Sequence, residues 1–235
     1  MTKAPGLYLS ASHPCSYLDD QTANTLLLDP EFPVSQQLYE VLVKHGFRRS
    51  GYMVYRPHCE QCQACVSVRI PVAAFEPNRS QQRTWSRNAD LRTNIVQPRF
   101  HNEHFSLYRR YQASRHPSSS MDDPDPEKYE EFMVASNVNT LFTEMFLGDR
   151  LVAVVVSDKL SDGLSAIYVF YEPELTRRSL GSFAILWQID YARRLGLDWI
   201  YLGYWIEKCK KMNYKTNFAP VEGFRHGQWE RLDLR

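Results

Sequence analysis

Three cysteines, Cys59, Cys62 and Cys65 in CEQCQAC, stand at a spacing that lets thiolates from one tight knuckle reach a single tetrahedral metal. A fourth ligand has to come from elsewhere in the chain. The expected site is zinc or an iron–sulfur cluster held by Cys15, Cys59, Cys62 and Cys65, with His58 and His13 as alternates for the fourth position. The competing uses of cysteine are a structural disulfide, which a cytoplasmic chain disfavours, and a redox pair, which normally opens a helix after a strand. Cys209, alone on a lysine-rich segment, is expected to be an incidental thiol.

Two further groups of residues point to anions. Arg177, Arg178, Ser179, Leu180 and Gly181 form a turn into a helix, where free amides attract negative charge, the arginines add to it, and Gly181 lacks the Cβ that would hold a phosphate away. Arg79, Arg83 and Arg87 recur every four residues behind Asn78, a helix cap, so they share one face. Three like charges in register repel unless something anionic lies against them, and arginine pairs bidentately with phosphate. The alternative is a solvated or acid-paired face. Residues 207–218 (EKCKKMNYKTNF) mix Lys208, Lys210, Lys211 and Lys215 with Met212, Tyr214 and Phe218. Rings that stack on bases and lysines that meet phosphates suit a nucleotide end, and a plain amphipathic helix would have the same pattern.

These residues must be positioned by regular elements. Residues 164–171 (LSAIYVFY) are β-branched and aromatic and close at Pro173, as a buried strand does. Ser179 is the expected N-cap of a helix carrying Leu180, Ala184, Trp187, Tyr191 and Leu195 at helical spacing, with Gly196 as a left-handed C-cap. A second strand follows at 199–205. Two strands joined by one helix are most simply parallel, and a ligand then sits at their carboxyl ends, near Tyr171, residues 177–182 and Tyr204. Upstream, a helix is expected at 36–45 with strands at 52–56 and 66–70, a unit ending near Phe75. Beyond it are expected the arginine helix, a strand at 91–96, a helix at 105–115, a polar loop at 114–126, a helix at 127–135 that Asp125 caps and Pro126 starts, a strand pair at 140–147 and 150–157, and a last strand or hairpin at 220–229. His101, His104 and His116 show no metal-ligand spacing.

The 235 residues, 43% of them hydrophobic, suffice for one large domain or two small ones. The division expected is an amino-terminal unit, 1–75, and a second domain, 76–235. Net charge is only +1, yet residues 79–115 hold eight arginines against two acids and 121–176 hold twelve acids against three basic groups. No apolar run approaches the ~20 residues of a membrane span, and the start lacks the basic and apolar regions of a signal peptide. A cytoplasmic protein without membrane partners is expected.

Several long motifs occur together and in order: HPCSYL (13–18), TLLLDP (25–30), GFRRSG (46–51), YRPHCEQCQACVSVRIPV (55–72), RSQQRTWSRNADL (79–91), RSLGSFAILWQI (178–189) and YLGYWIEKCKKMNYKTNFAP (201–220). On these motifs the chain resembles the bacterial aspartate/glutamate leucyltransferases, short relatives of arginyl-tRNA–protein transferase. The 177–181 turn likewise resembles the pyrophosphate turn of GNAT acyltransferases, without their multi-glycine version. The resemblance implies an α+β protein, a GNAT-like acyltransferase domain behind a small cysteine-containing amino-terminal α+β unit. It implies transfer of leucine from leucyl-tRNA to the amino-terminal Asp or Glu of proteins, marking them for degradation by the pathway that reads amino-terminal residues (the N-end rule, or N-degron, pathway). Partners would be leucyl-tRNA and such acceptor proteins, with no DNA and no cofactor required for the chemistry.

In that reaction the acceptor's own α-amine, with a pKa of roughly 7.7–8.0, attacks the ester carbon of the aminoacyl-tRNA, so no enzyme nucleophile is needed. Catalysis rests on alignment and on hydrogen bonds to the developing oxyanion. Candidate donors are the backbone amides near residues 168–171 and the hydroxyls of Tyr204 and Tyr214, and candidate proton acceptors are Glu144 and Glu207. The acceptor's acidic side chain is expected to meet Arg56, Arg69 or Lys215. tRNA contacts are assigned to Arg79, Arg83, Arg87, Arg177, Arg178, Gly181, Lys210 and Lys211. Transfer of arginine to the same acceptors, a coenzyme A-dependent acyltransferase, and a metal-dependent nucleic-acid-binding module are the competing readings.

Overall fold

Strand β1 (Leu7–Leu9), strands β2 (His13–Pro14) and β3 (Thr22–Ala23), and strand β4 (Thr25–Leu28) open the chain of this computed structural model, which describes residues 5–115 and 125–233. Helix α1 (Gln36–Lys44) follows, with Ser35 accepting from the Leu38 amide as its cap. Strands β5 (Arg48–Ser50) and β6 (Met53–Pro57) complete a small antiparallel sheet in the order β1-β4-β6-β5. None of β1 to β5 was expected. Four are only two or three residues long, too short for alternation to show.

From β7 (Val66–Pro71) onward the chain builds one eight-stranded sheet. Its elements are α2 (Arg79–Arg87), β8 (Leu91–Val96), α3 (Asn102–Arg115), α4 (Pro126–Tyr129) running into a π-helical stretch (Glu130–Val134), β9 (Thr140–Leu147), β10 (Arg150–Lys159), β11 (Gly163–Tyr171), α5 (Leu180–Arg194), β12 (Trp199–Trp205), β13 (Glu222–Arg225) and β14 (Gln228–Arg231). A 3-10 turn (Thr176–Arg178) precedes α5 and another (Asn213–Phe218) follows β12. The strand order is β14-β13-β7-β12-β11-β10-β9-β8. The polar loop expected at 114–126 lies, over 116–124, outside the described residues, as does His116. Asp125 caps α4 through the Glu127 amide at 2.9 Å, and Pro126 opens it.

Strand β7, from the amino-terminal unit, lies inside this sheet between β13 and β12, so the segments before and after Phe75 share one set of backbone hydrogen bonds. Helix α5 covers one face, packing Ile185, Leu186 and Ile189 on Ile200, Leu202 and Leu164, and Phe183 and Ala184 on Ala153 and Val155. Nine of its side chains are buried because α2 lies over its other side, with Trp85 against Phe183 at 5.5 Å. The opposite face carries α3 and α4 over Phe142, Val154, Val156 and Phe170, and α1 over Tyr201 and Leu160. The sheet is thus covered on both faces, an α+β architecture.

The expected N-cap at Ser179 is corrected. Its side chain makes no capping hydrogen bond, and it sits at φ 52°, a left-handed conformation that costs a serine about 1 kcal/mol. The 3-10 turn runs straight into the helix, leaving no extended residue to act as a cap. Gly196, by contrast, takes its C-terminal place at φ +67°.

A buried ion pair ties α1 and the small sheet to the large one. Arg49 donates from Nε and Nη2 to the two oxygens of Asp158 at 2.7 and 2.6 Å, while Tyr39 and Thr140 donate hydroxyls to the same carboxylate, each at 2.7 Å. Asp158 is fully buried, so its charge depends on these donors. Replacing Arg49 with Met leaves that carboxylate uncompensated and is expected to cost about 3–5 kcal/mol of unfolding free energy, against about 1 kcal/mol for Tyr39→Phe. Urea denaturation of the two variants checks both figures.

Candidate active site at the fork between two parallel strands

Strands β11 and β12 pair in parallel as expected, but only from Gly163↔Trp199 to Ser165↔Tyr201. Beyond that point they part. Strand β11 stays paired with β10 as far as Tyr171, and β12 stays paired with β7 as far as Trp205. Each outer ladder carries a register shift just past the last shared pair, between Val156 and Ser157 on β10 and between Tyr201 and Gly203 on β12. A bulge bends its strand and adds twist, and two of them on outer edges open a fork in the sheet. From Ala166 onward the edge of β11 turned toward β12 has no strand partner among the described residues.

Arg48 fills the fork. Its Nη1 donates to Ser165 Oγ at 2.7 Å and toward the Tyr201 carbonyl at 3.4 Å, and its Nη2 donates to the Ala166 carbonyl. Gly203, at φ +78°, makes room, since a Cβ there would lie 3.0 Å from Arg48 Nε. Beside it, Lys215 donates to the Tyr204 carbonyl and lies 5.8 Å from the Tyr214 ring centre. Arg48 and Lys215 are 7% and 5% exposed, and neither has a carboxylate partner among the described residues. Burial, with the Arg48 charge adding to it, lowers the Lys215 ammonium pKa to about 7. The far wall holds Tyr171, whose hydroxyl accepts from Arg115 at 3.1 Å and whose ring packs edge-on to Tyr111 at 4.9 Å.

The expected site residues distribute unevenly around this fork. Lys215 and Tyr214 lie at it. Tyr204 is there too, but its hydroxyl donates to the Gly46 carbonyl at 3.0 Å, and burial raises its pKa far above the usual phenol. Glu144 is elsewhere: on β9, two strands away, it accepts from His104 at 2.8 Å and Asn94 at 3.0 Å. Glu207 is exposed, two residues past β12. Arg69 is locked by Glu222 at 2.8 Å and lies between Trp199 and Trp229, 3.4 and 4.5 Å from their ring centres. Arg56 donates to the His45 carbonyl at 3.3 Å and stacks over Phe47 at 5.0 Å.

Among the expected tRNA contacts, Arg79, Arg83, Arg177, Lys210 and Lys211 are exposed. Arg87 instead donates to the Arg177 carbonyl, and Arg178 forms a two-pronged bridge to Asp90 at 2.7 and 2.8 Å, whose carboxyl it holds below the usual range. These two arginines staple α2 to the start of α5. The space that Gly181 leaves is taken by the Tyr171 ring, 3.2 Å from where a Cβ would stand. The turn read as a phosphate cradle therefore serves largely as packing. The basic and acidic segments also interleave, since buried Glu172 accepts from both Arg110 and Arg150, at 3.0 and 2.7 Å.

The cysteines gather, and Cys209 joins them. Burial first, then the neighbouring Cys15, Cys59, Cys62 and Cys209 thiols, push the Cys65 thiol up to about 12. All five are free and half-buried. Among the described residues, no three His, Cys, Asp or Glu side chains converge on a position that could hold a metal ion. No described helix is long and apolar enough to cross a membrane.

Sequence reading missed Arg48 and Arg115. The available signal for Arg48 was a pair of arginines, Arg48 and Arg49, on one short strand between Gly46 and Gly51, where a solvated role would need only one outward position.

A sheet forked between parallel strands, with buried basic side chains at the parting, suits a transferase that aligns two substrates. Residues 13–83 match the family described as arginine-tRNA-protein transferase, N terminus, and residues 103–225 match its C terminus. The chain belongs to the arginine-tRNA-protein transferase family, and is an aminoacyltransferase. It is 50% identical over 226 residues, 96% of each chain, to the aspartate/glutamate leucyltransferase of Pseudomonas fluorescens (strain Pf0-1). It is 46% identical over 222 residues, 94% of this chain and 95% of the other, to that of Hahella chejuensis (strain KCTC 2396). Among solved structures, the C-terminal DUF2156 domain of an Agrobacterium fabrum protein overlays with a TM-score of 0.49 at 14% identity, covering 85% of this chain and 64% of that one, a likeness too slight to argue from.

Lys215 gives a pH dependence whose sign follows from its shift. Between about 7 and the unperturbed value of roughly 10.4, the unfolded chain holds a proton on this lysine that the folded chain has lost, so stability rises with pH across that window. Lys215→Met is expected to flatten the rise. Denaturation of both proteins at pH 7 to 10 checks it, and equal slopes would contradict the buried, depressed lysine.

Proposed function

We propose that this protein transfers leucine from leucyl-tRNA to the amino-terminal Asp or Glu of acceptor proteins, using a GNAT-like domain, and so commits them to the degradation pathway that reads amino-terminal residues. The observation that carries this reading is 50% identity, over 96% of both chains, to a leucyltransferase with those acceptors in its name. The fork supplies the physical means. An acceptor amine and the leucyl ester meet where β11 and β12 part, the amine attacks, and backbone amides on the β11 edge past Ser165 donate to the oxyanion that forms. The electron pair of the breaking ester bond leaves on the tRNA oxygen, which takes up the proton that the attacking amine gives up and departs as the hydroxyl. Lys215, poised near neutrality beside the Tyr204 carbonyl, keeps a second ammonium charge from building up against Arg48. Glu144, held by His104 and Asn94, takes no part.

The tRNA body is proposed to lie along exposed Arg79 and Arg83 of α2, Arg177, and the Lys210–Lys211 segment. That segment leads into the 3-10 turn that Gln81 of α2 holds through the Asn217 carbonyl at 2.9 Å. Arg87 and Arg178 are left out because their guanidinium groups are already used. A coenzyme A-dependent reading would need the 177–181 turn free for a pyrophosphate, and Arg178 and Tyr171 occupy it.

Incubating the protein with leucyl-tRNA and a peptide beginning with Asp is expected to add one leucine residue to the peptide's mass. Gain of arginine from arginyl-tRNA, with none of leucine, would overturn the assignment. Arg79→Glu with Arg83→Glu is expected to weaken tRNA binding about tenfold or more at moderate salt and to lower the slope of log affinity against log salt by about 1 per lost phosphate contact. An unaltered slope would remove α2 from the tRNA surface.

A further inference from the structure

Arg48 and Arg49 are neighbours on one strand, and their side chains run to registered partners on β10 and β11, Asp158 and Ser165. Arg49 finds a carboxylate there. Arg48 finds a hydroxyl and two backbone carbonyls, none of them charged. A guanidinium cannot shed its proton, so its charge persists where a lysine's is lost. The resting fork therefore contains a buried, oriented cation that uses three of its five N–H groups in the contacts above and has no counterion among the described residues. Such a charge is costly unless an anion joins it.

Resting on the leucyltransferase reading, we propose that Arg48 is the residue that reads the acidic side chain of the acceptor, receiving its carboxylate within the fork. The other candidates are excluded by their contacts. Arg69 is spent on Glu222 and its two tryptophans; Arg56, over Phe47 and donating to the His45 carbonyl, keeps a buried Nε without a partner but donates to none of Ser165, Ala166 and Tyr201, the groups that hold Arg48 at the fork. Lys215 lines the same opening but is held near neutrality, so its charge alone does not define the pocket. The anchoring of Arg48 by the Ser165 hydroxyl and the Ala166 and Tyr201 carbonyls fixes the plane of the guanidinium. A planar donor set of this kind accepts a carboxylate and discriminates against an amide, which brings N–H groups of its own to a site made of donors. The burial of Arg48 suits a short side chain inserted from a chain terminus. The phosphates of tRNA meet exposed cations on α2 instead.

The test compares full-length wild type and Arg48→Gln on peptides that differ only in a first residue of Asp or Asn, with saturating leucyl-tRNA. The expected result is a fall of about tenfold or more in the Asp-over-Asn ratio of kcat/KM, expressed mainly in the peptide KM, with the KM for leucyl-tRNA unchanged. An equal loss on both peptides would show that Arg48 only braces the fork. A raised KM for leucyl-tRNA with an unchanged ratio would show that it binds phosphate. Either outcome overturns the proposal. Anisotropy of the labelled peptides without tRNA separates this from the function itself: loss of Asp preference in Arg48→Gln supports the proposal even if wild type transfers no leucine, and no Asp preference in wild type refutes it. Should Arg48→Gln fail to fold, Arg48→Lys, which keeps a charge without the planar fork, is expected to lower the same ratio, and an undiminished ratio overturns the proposal.

Discussion

A buried guanidinium with no carboxylate partner among the described residues, beside a lysine whose pKa burial lowers to about 7, is set where a parallel strand pair stops pairing, and it is the constraint around which this molecule is organised. Backbone carbonyls freed at the fork need donors, because unpaired polar groups inside a protein cost free energy. Arg48 supplies those donors, yet it brings a charge that the fork does not neutralise. The same side chain thus stabilises an opening in the sheet and makes that opening attractive to an acid.

The rest of the fold serves to put that arginine in place. Strand β5 is three residues long and has no core of its own, so its position depends on Arg49 bridging to Asp158 and on Tyr39 of α1 reaching the same carboxylate. On the opposite face, α5 buries nine side chains and fixes the two strands it connects, while Arg87 and Arg178 fasten α2 to its first turn. Between them the two outer ladders stay paired while the middle of the sheet divides. A template that aligns an amine with an ester needs that combination, since a displacement of the reacting groups costs rate steeply.

Much of the scaffold was legible in the residues. Strands β8 and β9 and the βαβ unit appear where their β-branched runs and helical spacing placed them, because long, strongly patterned segments leave little choice. The bulges were not legible. Gly203 inside a strand hinted at one, but its reason is the Arg48 side chain from far upstream, a tertiary fact. Lys215, one of three cations considered for the acceptor's carboxylate, lies at the fork. Glu144 was not separable by sequence from a catalytic proton acceptor, since its tie to His104 of α3 forms only on folding. Arg178 and Gly181 fit an anion turn by composition, and only the positions of Asp90 and Tyr171 show them in other work. Cys209 looked isolated because the thiols around Cys65 come together only on folding.

The most direct measurement is the titration of the Lys215 ammonium by nitrogen NMR in protein labelled with 15N-lysine, assigned by its loss in a substituted variant. The account predicts a midpoint near 7 in the free protein, moving upward when a peptide beginning with Asp is bound and staying in place with one beginning with Asn. A free-protein midpoint near the ordinary lysine value of roughly 10.4, with no response to the Asp peptide, would contradict the buried lysine beside the uncompensated Arg48 charge on which the account depends.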